Sequence, residues 1–130
     1  MGFGIKYLAA PSASATQAIT PGVKPMQNYQ NVLAATEAAL AANAEFDSNQ
    51  QICVRYGRLV GSVLSDQAGT LYIEQTQDGT NYDVSVSIAV AANTGVSFSE
   101  EVVAPGCRAR YVNGATAQTV FRLVMNGRSV

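Results

Sequence analysis

Histidine and tryptophan are absent from this 130-residue chain, and charge is scarce. Without histidine, the commonest general base and a leading metal ligand are missing, so His-based catalytic pairs and His-containing zinc sites are excluded. Charged residues make up 13% of the sequence, roughly half the ~25% of an ordinary soluble domain. Such a surface must be covered by Ser, Thr, Asn, Gln and Gly, or by other protein. Eight Lys+Arg against nine Asp+Glu give a net charge of −1. That balance argues against a nucleic-acid partner, which requires a basic face to displace counterions. No run of 18 apolar residues occurs, so no membrane-spanning helix is expected. The first ten residues lack a charged start before a continuous apolar run, so no signal peptide is expected there. Lys6 stands where the myristoylation pattern after Met1-Gly2 wants Ser or Thr. Only two cysteines are present, Cys53 and Cys107, which leaves a single possible pairing. Two packed thiols and an inter-strand bridge both remain open from the sequence.

What is present divides into two zones. Residues 1–45 hold four charges, Lys6, Lys24, Glu37 and Glu45, among Ala, Ser, Thr and Gln. Pro11, Pro21 and Pro25 forbid a continuous helix or a central strand through this zone. It reads as an extended N-terminal arm that cannot offset its own ordering entropy by burial. Such an arm is expected to lie on another subunit. Within it, residues 32–46 fit a helical stripe and an alternating strand about equally, with a strand over 38–46 preferred.

Residues 46–130 form the expected globular domain. Leu59, Gly61 and Val63 alternate with Val60, Ser62 and Leu64, and Val84, Val86, Ile88 and Val90 alternate with Ser85, Ser87 and Ala89. Asp78-Gly79-Thr80-Asn81 is a hairpin turn between two such runs. Cys107 to Val112, an Asn113-Gly114 turn and Gln118 to Met125 read as a final hairpin. About seven or eight strands separated by turn signals give an all-β, antiparallel β-sandwich, jelly-roll-like, with no βαβ alternation.

Candidate chemistry is thin. The carboxylates Asp66, Glu74, Asp78, Asp83, Glu100 and Glu101 are the candidates a hydrolase would have to pair across a cleft, and nothing in the sequence brings any two of them together. Asp66 and Asp78 lie in turns, where Asp bonds its own backbone. Glu100 and Glu101 fall on opposite faces of one strand, which places that strand near an edge or interface. The run Asp78 to Asp83 spaces oxygens like a calcium loop but lacks the closing Glu, so no metal site is assigned. Arg108 and Arg110 share one strand face, with Arg122 expected to approach them across the final hairpin. Ion pairs with protein carboxylates are the expected use of these arginines. Tyr56, Tyr72, Tyr82 and Tyr111 would serve either a sugar-stacking platform or core-edge packing. No catalytic or cofactor-binding residue is assigned, and no enzyme activity is expected.

The stretch Gly61 to Gln75, followed by Asp78 to Asp83, and the later Val102-Val103-Ala104-Pro105-Gly106-Cys107-Arg108-Ala109-Arg110-Tyr111-Val112-Asn113-Gly114-Ala115, resemble a recurrent β-sandwich module of tailed-bacteriophage virion proteins. The resemblance spans roughly residues 46–125 and leaves the arm outside. Cys107 departs from the module's pattern, so no thiol role is implied. The resemblance implies a non-enzymatic virion component without cofactor, on the capsid exterior and assembled in the host cytoplasm. Its implied role is a capsid decoration (cement) protein, commonly a homotrimer, that binds the major capsid protein and clasps neighbours with its arm. A receptor- or carbohydrate-binding module of a tail fibre is the alternative reading.

Overall fold

The computed structural model describes residues 31–129. Of the arm assigned to residues 1–45, residues 1–30 lie outside the described residues. Among the described residues nine strands follow one another: β1 (Val32–Thr36), β2 (Glu45–Asp47), β3 (Gln51–Ile52), β4 (Arg58–Ser65), β5 (Gly69–Thr76), β6 (Val84–Val90), β7 (Val96–Glu101), β8 (Gly106–Asn113) and β9 (Phe121–Arg128). They make two antiparallel sheets, β1-β9-β4-β7 and β2-β8-β5-β6, with short β3 also paired to β8. The pairs β1·β9, β2·β8, β4·β7 and β5·β6 are the rungs of one long hairpin folded over on itself. Lateral pairing of β4 with β9 and of β5 with β8 then closes each sheet. Eight strands wrapped in this way form a jelly roll, so the expected antiparallel sandwich is the observed fold.

Alternation of side chains decides which face is inward. In β4, Leu59 and Val63 are buried together with Leu71 and Ile73 of β5, Tyr111 of β8, and Phe121, Leu123 and Met125 of β9. Tyr111 and Phe121, from opposite sheets, bring their ring centroids to 4.7 Å with planes at 45°. This tilted contact across the two layers is a favourable aromatic geometry. The turns use residues that tolerate left-handed backbone: Asn43 at φ 61°, Asn93 at φ 59° and Gly79 at φ 84°.

Three local readings differ from the structure. The sandwich begins at Val32, because β1 pairs with β9, so residues 32–45 form part of it. No strand spans 38–46. Left-handed Asn43 breaks that run, and it is pinned as a crossing between the sheets. Gln118 Oε1 accepts from the Leu40 amide at 2.8 Å, and Asn113 Nδ2 donates to the Ala41 carbonyl at 2.9 Å. Finally, β8 and β9 do not form a hairpin. They belong to different sheets, and residues 114–120 carry the chain from one layer to the other.

Candidate functional site

Two surface features stand out from the rest of the sandwich. The first is a polar cluster on the outer face of β5 and β8. Register sets Glu74 opposite Arg108 and Tyr72 opposite Arg110. Because residues two apart share a strand face, all four side chains meet on the outside of one sheet. Arg108 Nε reaches Glu74 Oε1 at 2.8 Å and Arg110 reaches Oε2 at 3.1 Å. Ser85 Oγ donates to the same Oε2 at 3.2 Å, and Arg110 also faces Glu45 at 3.8 Å. The guanidinium of Arg108 lies 3.9 Å from the Tyr82 ring centroid, and that of Arg110 lies 4.2 Å from the centroid of Tyr72.

Glu74 is 5% exposed. Burial by itself raises its pKa, but the hydrogen bonds and charges of Arg110 and Arg108 outweigh it and hold the carboxyl below its usual range. The hydrogen bond to Glu74 raises Arg110 in turn, against its own desolvation. Two guanidinium groups facing Glu74 and Glu45 leave no net charge. The tyrosine rings are occupied by cations. The cluster therefore holds the sheet together instead of presenting an open anion or sugar site.

The remaining expected site residues are dispersed. Arg122 lies on β9, opposite Leu64 of β4 in the other sheet, and so does not join Arg108 and Arg110. Tyr111 is in the core, and Tyr56 packs flat over Gly127 of β9. The four tyrosines make no common platform. Asp66 accepts from the Thr119 hydroxyl at 2.6 Å and from the Thr119 and Val120 amides at 3.0 and 3.1 Å, which lowers its pKa to about 2. Asp78 caps its own turn, accepting from the Thr80 and Asn81 amides at 2.8 Å, and its pKa is lowered by these bonds. These two carboxylates sit beyond opposite ends of β5, roughly 25 Å apart at strand rise. They cannot act on one bond. Glu100 and Glu101 lie on the edge strand β7, where their opposite-face spacing placed them. Among the described residues no group of three His, Cys, Asp or Glu side chains could hold a metal ion.

Cys53 and Cys107 are free and fully buried. Desolvation pushes both thiols up, and the neighbouring Cys53 raises Cys107 further; the Cys53 thiol donates to the Ala104 carbonyl at 3.3 Å. At neutral pH both are protonated and inert.

The second feature was not singled out from the sequence. Ile52 is 73% exposed, Val54 67% and Val103 56%. They lie on two segments that run antiparallel side by side. Ile52 pairs with Gly106, the Cys53 amide donates to the Pro105 carbonyl at 2.7 Å, and the Val102 amide donates to the Gly57 carbonyl at 3.0 Å. Cys53, between Ile52 and Val54, points inward and is buried, so alternation sends both neighbours to solvent. Three large aliphatic side chains are thus exposed on these two neighbouring segments, where burial against another protein would be favourable. The signal in the sequence was the Ile-Cys-Val alternation, which left one side of this short run unaccounted for.

Among the described residues no helix is long and apolar enough to cross a membrane. No curated protein matches the chain. In the solved structures, the chain is similar to one described as the PBSX exported protein XepA. The two share 25% identity at a TM-score of 0.70, over 86% of this chain and 40% of that one. The chain thus spans well under half the length of that protein. A second similarity, at 17% identity and TM-score 0.46, is to a protein described under Bacillus endospore appendages that form disulfide-linked pili; it covers 84% of this chain and 99% of that one. The family model for the uncharacterised protein YqxG N-terminal domain matches residues 23–127, and the chain belongs to that family.

Proposed function

We propose that this chain is a structural β-sandwich module that works outside the cell by docking on other protein, and that its specific role is decoration of a tailed-phage head. The observation that carries the reading is the apolar rim of Ile52, Val54 and Val103 on a sandwich whose charged cluster is satisfied internally. An apolar patch gains free energy on burial, at about 25 cal/mol per Å² removed from water. Each contact of this size is weak, but many copies on a closed shell act together. The XepA likeness supports an exported destination, and the resemblance to virion sandwich modules supports the capsid. Binding of the major capsid protein is the partner this reading requires.

The test is co-sedimentation of the purified protein with phage heads, comparing wild type with the Ile52→Asp/Val54→Asp double variant. Saturable binding by wild type and its loss in the folded double variant are expected. Binding that survives both substitutions removes the rim from the mechanism. Recovery of wild type in the culture medium with no affinity for heads would replace decoration with a free exported module.

A further inference from the structure

Among the described residues the sandwich has four sheet edges, and three of them are blunted. The β1 edge carries a register shift between Val32 and Ala34. The β2/β3 edge is broken into strands of three and two residues by residues 48–50. The β7 edge carries Glu100 on the core-facing side and Glu101 on the other, since Glu100 pairs with inward Leu59. Bulges, short strands and inward charges are the devices by which proteins keep sheet edges from pairing with other chains. The fourth edge, β6, has none of them. Val84-Ser85-Val86-Ser87-Ile88-Ala89-Val90 is seven residues long, uncharged and free of proline, and its pairing with β5 runs without a break.

Among the described residues no strand lies beyond β6, and its side chains are incompletely covered. Val84, Val86 and Ile88 face the core side but are only half-buried, while their neighbours Leu71 and Ile73 on β5 are sealed at 0% and 1% exposure. A further strand laid along β6 would cover this row and satisfy the outward backbone groups.

We infer that β6 is a self-association edge, pairing antiparallel with β6 of a second copy about a two-fold axis at Ser87. The strand's own sequence selects this partner. Reflected about Ser87, Val84 meets the copy's Val90 and Val86 meets its Ile88, which continues the apolar row. On the other face Ser85 meets Ala89 and Ser87 meets Ser87. Asp83, four positions before the axis, meets the uncharged Ala91, so no like charges are opposed. An isologous contact needs this self-complementarity, and cross-strand β-branched pairs are favourable ones. The two four-stranded paths would join into one continuous sheet through about six new backbone hydrogen bonds. The inference goes beyond head decoration and uses a different surface from the apolar rim, so either can fail alone.

The test is light scattering on the full chain over a concentration series, with Ser87→Lys as the variant. Ser87 is exposed, so the substitution leaves the monomer fold intact, as circular dichroism would check, while opposing two ammonium groups at the axis. Wild type should rise from 13.6 kDa toward twice that mass, and Ser87→Lys should stay at 13.6 kDa. Wild type that stays monomeric throughout, or a trimer that Ser87→Lys leaves unchanged, overturns the inference. As a second arm, Ser87→Cys under a mild disulfide-forming oxidant should cross-link about tenfold faster than Ser97→Cys on β7, because the axis holds the two thiols at high effective concentration. The buried native thiols do not compete. Equal rates at the two edges also overturn it.

Discussion

The two sheets of this sandwich are held by different means. In β1-β9-β4-β7 the strands approach closely over glycine. A Cβ at Gly61 would run into the Val124 carbonyl of β9 and come within 2.7 Å of the Phe98 ring, and Gly127 lies beneath the Tyr56 ring. In β2-β8-β5-β6 the outer face is tied by the carboxylate of Glu74 and its two arginines, each arginine stacked on a tyrosine. The outer face of the first sheet has a smaller polar contact, Arg58 donating to the Ser99 hydroxyl at 2.6 Å and to its carbonyl at 3.1 Å. In a sequence with little charge, the ion pairs of Glu74, Glu45, Arg108 and Arg110 thus gather on one face. The other face is left to backbone proximity and small side chains.

The largest effect expected is on the glycine-based sheet. Gly61→Ala forces either Phe98 or the β4–β9 ladder to move, and overpacking against backbone should cost about 3 kcal/mol. Equilibrium denaturation in urea measures it. A loss below about 1 kcal/mol would mean that the two strands separate easily, and the contrast between the sheets would collapse. Glu74→Gln comes next. It keeps the shape but leaves Arg108 and Arg110 without their shared anion, at a cost of about 2 kcal/mol. Arg122→Ala, on the face without the cluster, should change stability by less than about 0.5 kcal/mol. Equal losses for these two variants would show that the polar cluster holds nothing together.

Legibility in the sequence followed the range of the interactions. β4, β5 and β6 were readable because alternation is local: Leu59/Val63 and Val84/Val86/Ile88 mark their own inward faces. β1 was not readable, because Val-Leu-Ala-Ala-Thr carries no alternation and becomes a strand by pairing with β9, about ninety residues away. The Asn113-Gly114 signal suggested a hairpin, yet Gln118 and Asp66 hold residues 114–120 as a bridge between layers. For the polar cluster, alternation placed Arg108 and Arg110 on one face. Only the β5–β8 register brings Glu74 to them, and register is a tertiary property.

Acid should act first through the carboxylates held below their usual range. The Asp66 pKa is lowered from 3.8 to about 2 by its bonds to Thr119 and Val120. A group depressed on folding contributes its full stability above the unfolded value, near pH 4, and loses it as pH falls through about 2. Glu74 and Asp78 shift in the same direction. The urea midpoint should therefore be flat above about pH 5 and fall steadily below pH 4. Asp66→Asn should reduce that slope while lowering stability at neutral pH. An unchanged slope would mean that the β8–β9 bridge is not clasped by Asp66 in solution.

An effect of the opposite sign is expected at Gly69, a place where the two sheets share a device. Tyr111 of the ion-paired sheet lies over Gly69, with its hydroxyl against the position a Cβ would take. That hydroxyl is buried without a hydrogen-bond partner, although Ser65 and Gln118 are nearby, and burial raises its pKa. Burying a hydroxyl without a hydrogen bond costs free energy. Tyr111→Phe keeps the ring against Phe121 and removes only the stranded oxygen. It should leave stability unchanged or raise it by up to about 1 kcal/mol. A loss of more than about 1 kcal/mol would show that the hydroxyl is bonded to Ser65 or Gln118 in solution. In that case Tyr111 would join both neighbours in tying β8 to the β4 end and the β8–β9 bridge, and side-chain hydrogen bonding would connect the two sheets as well as decorate one of them.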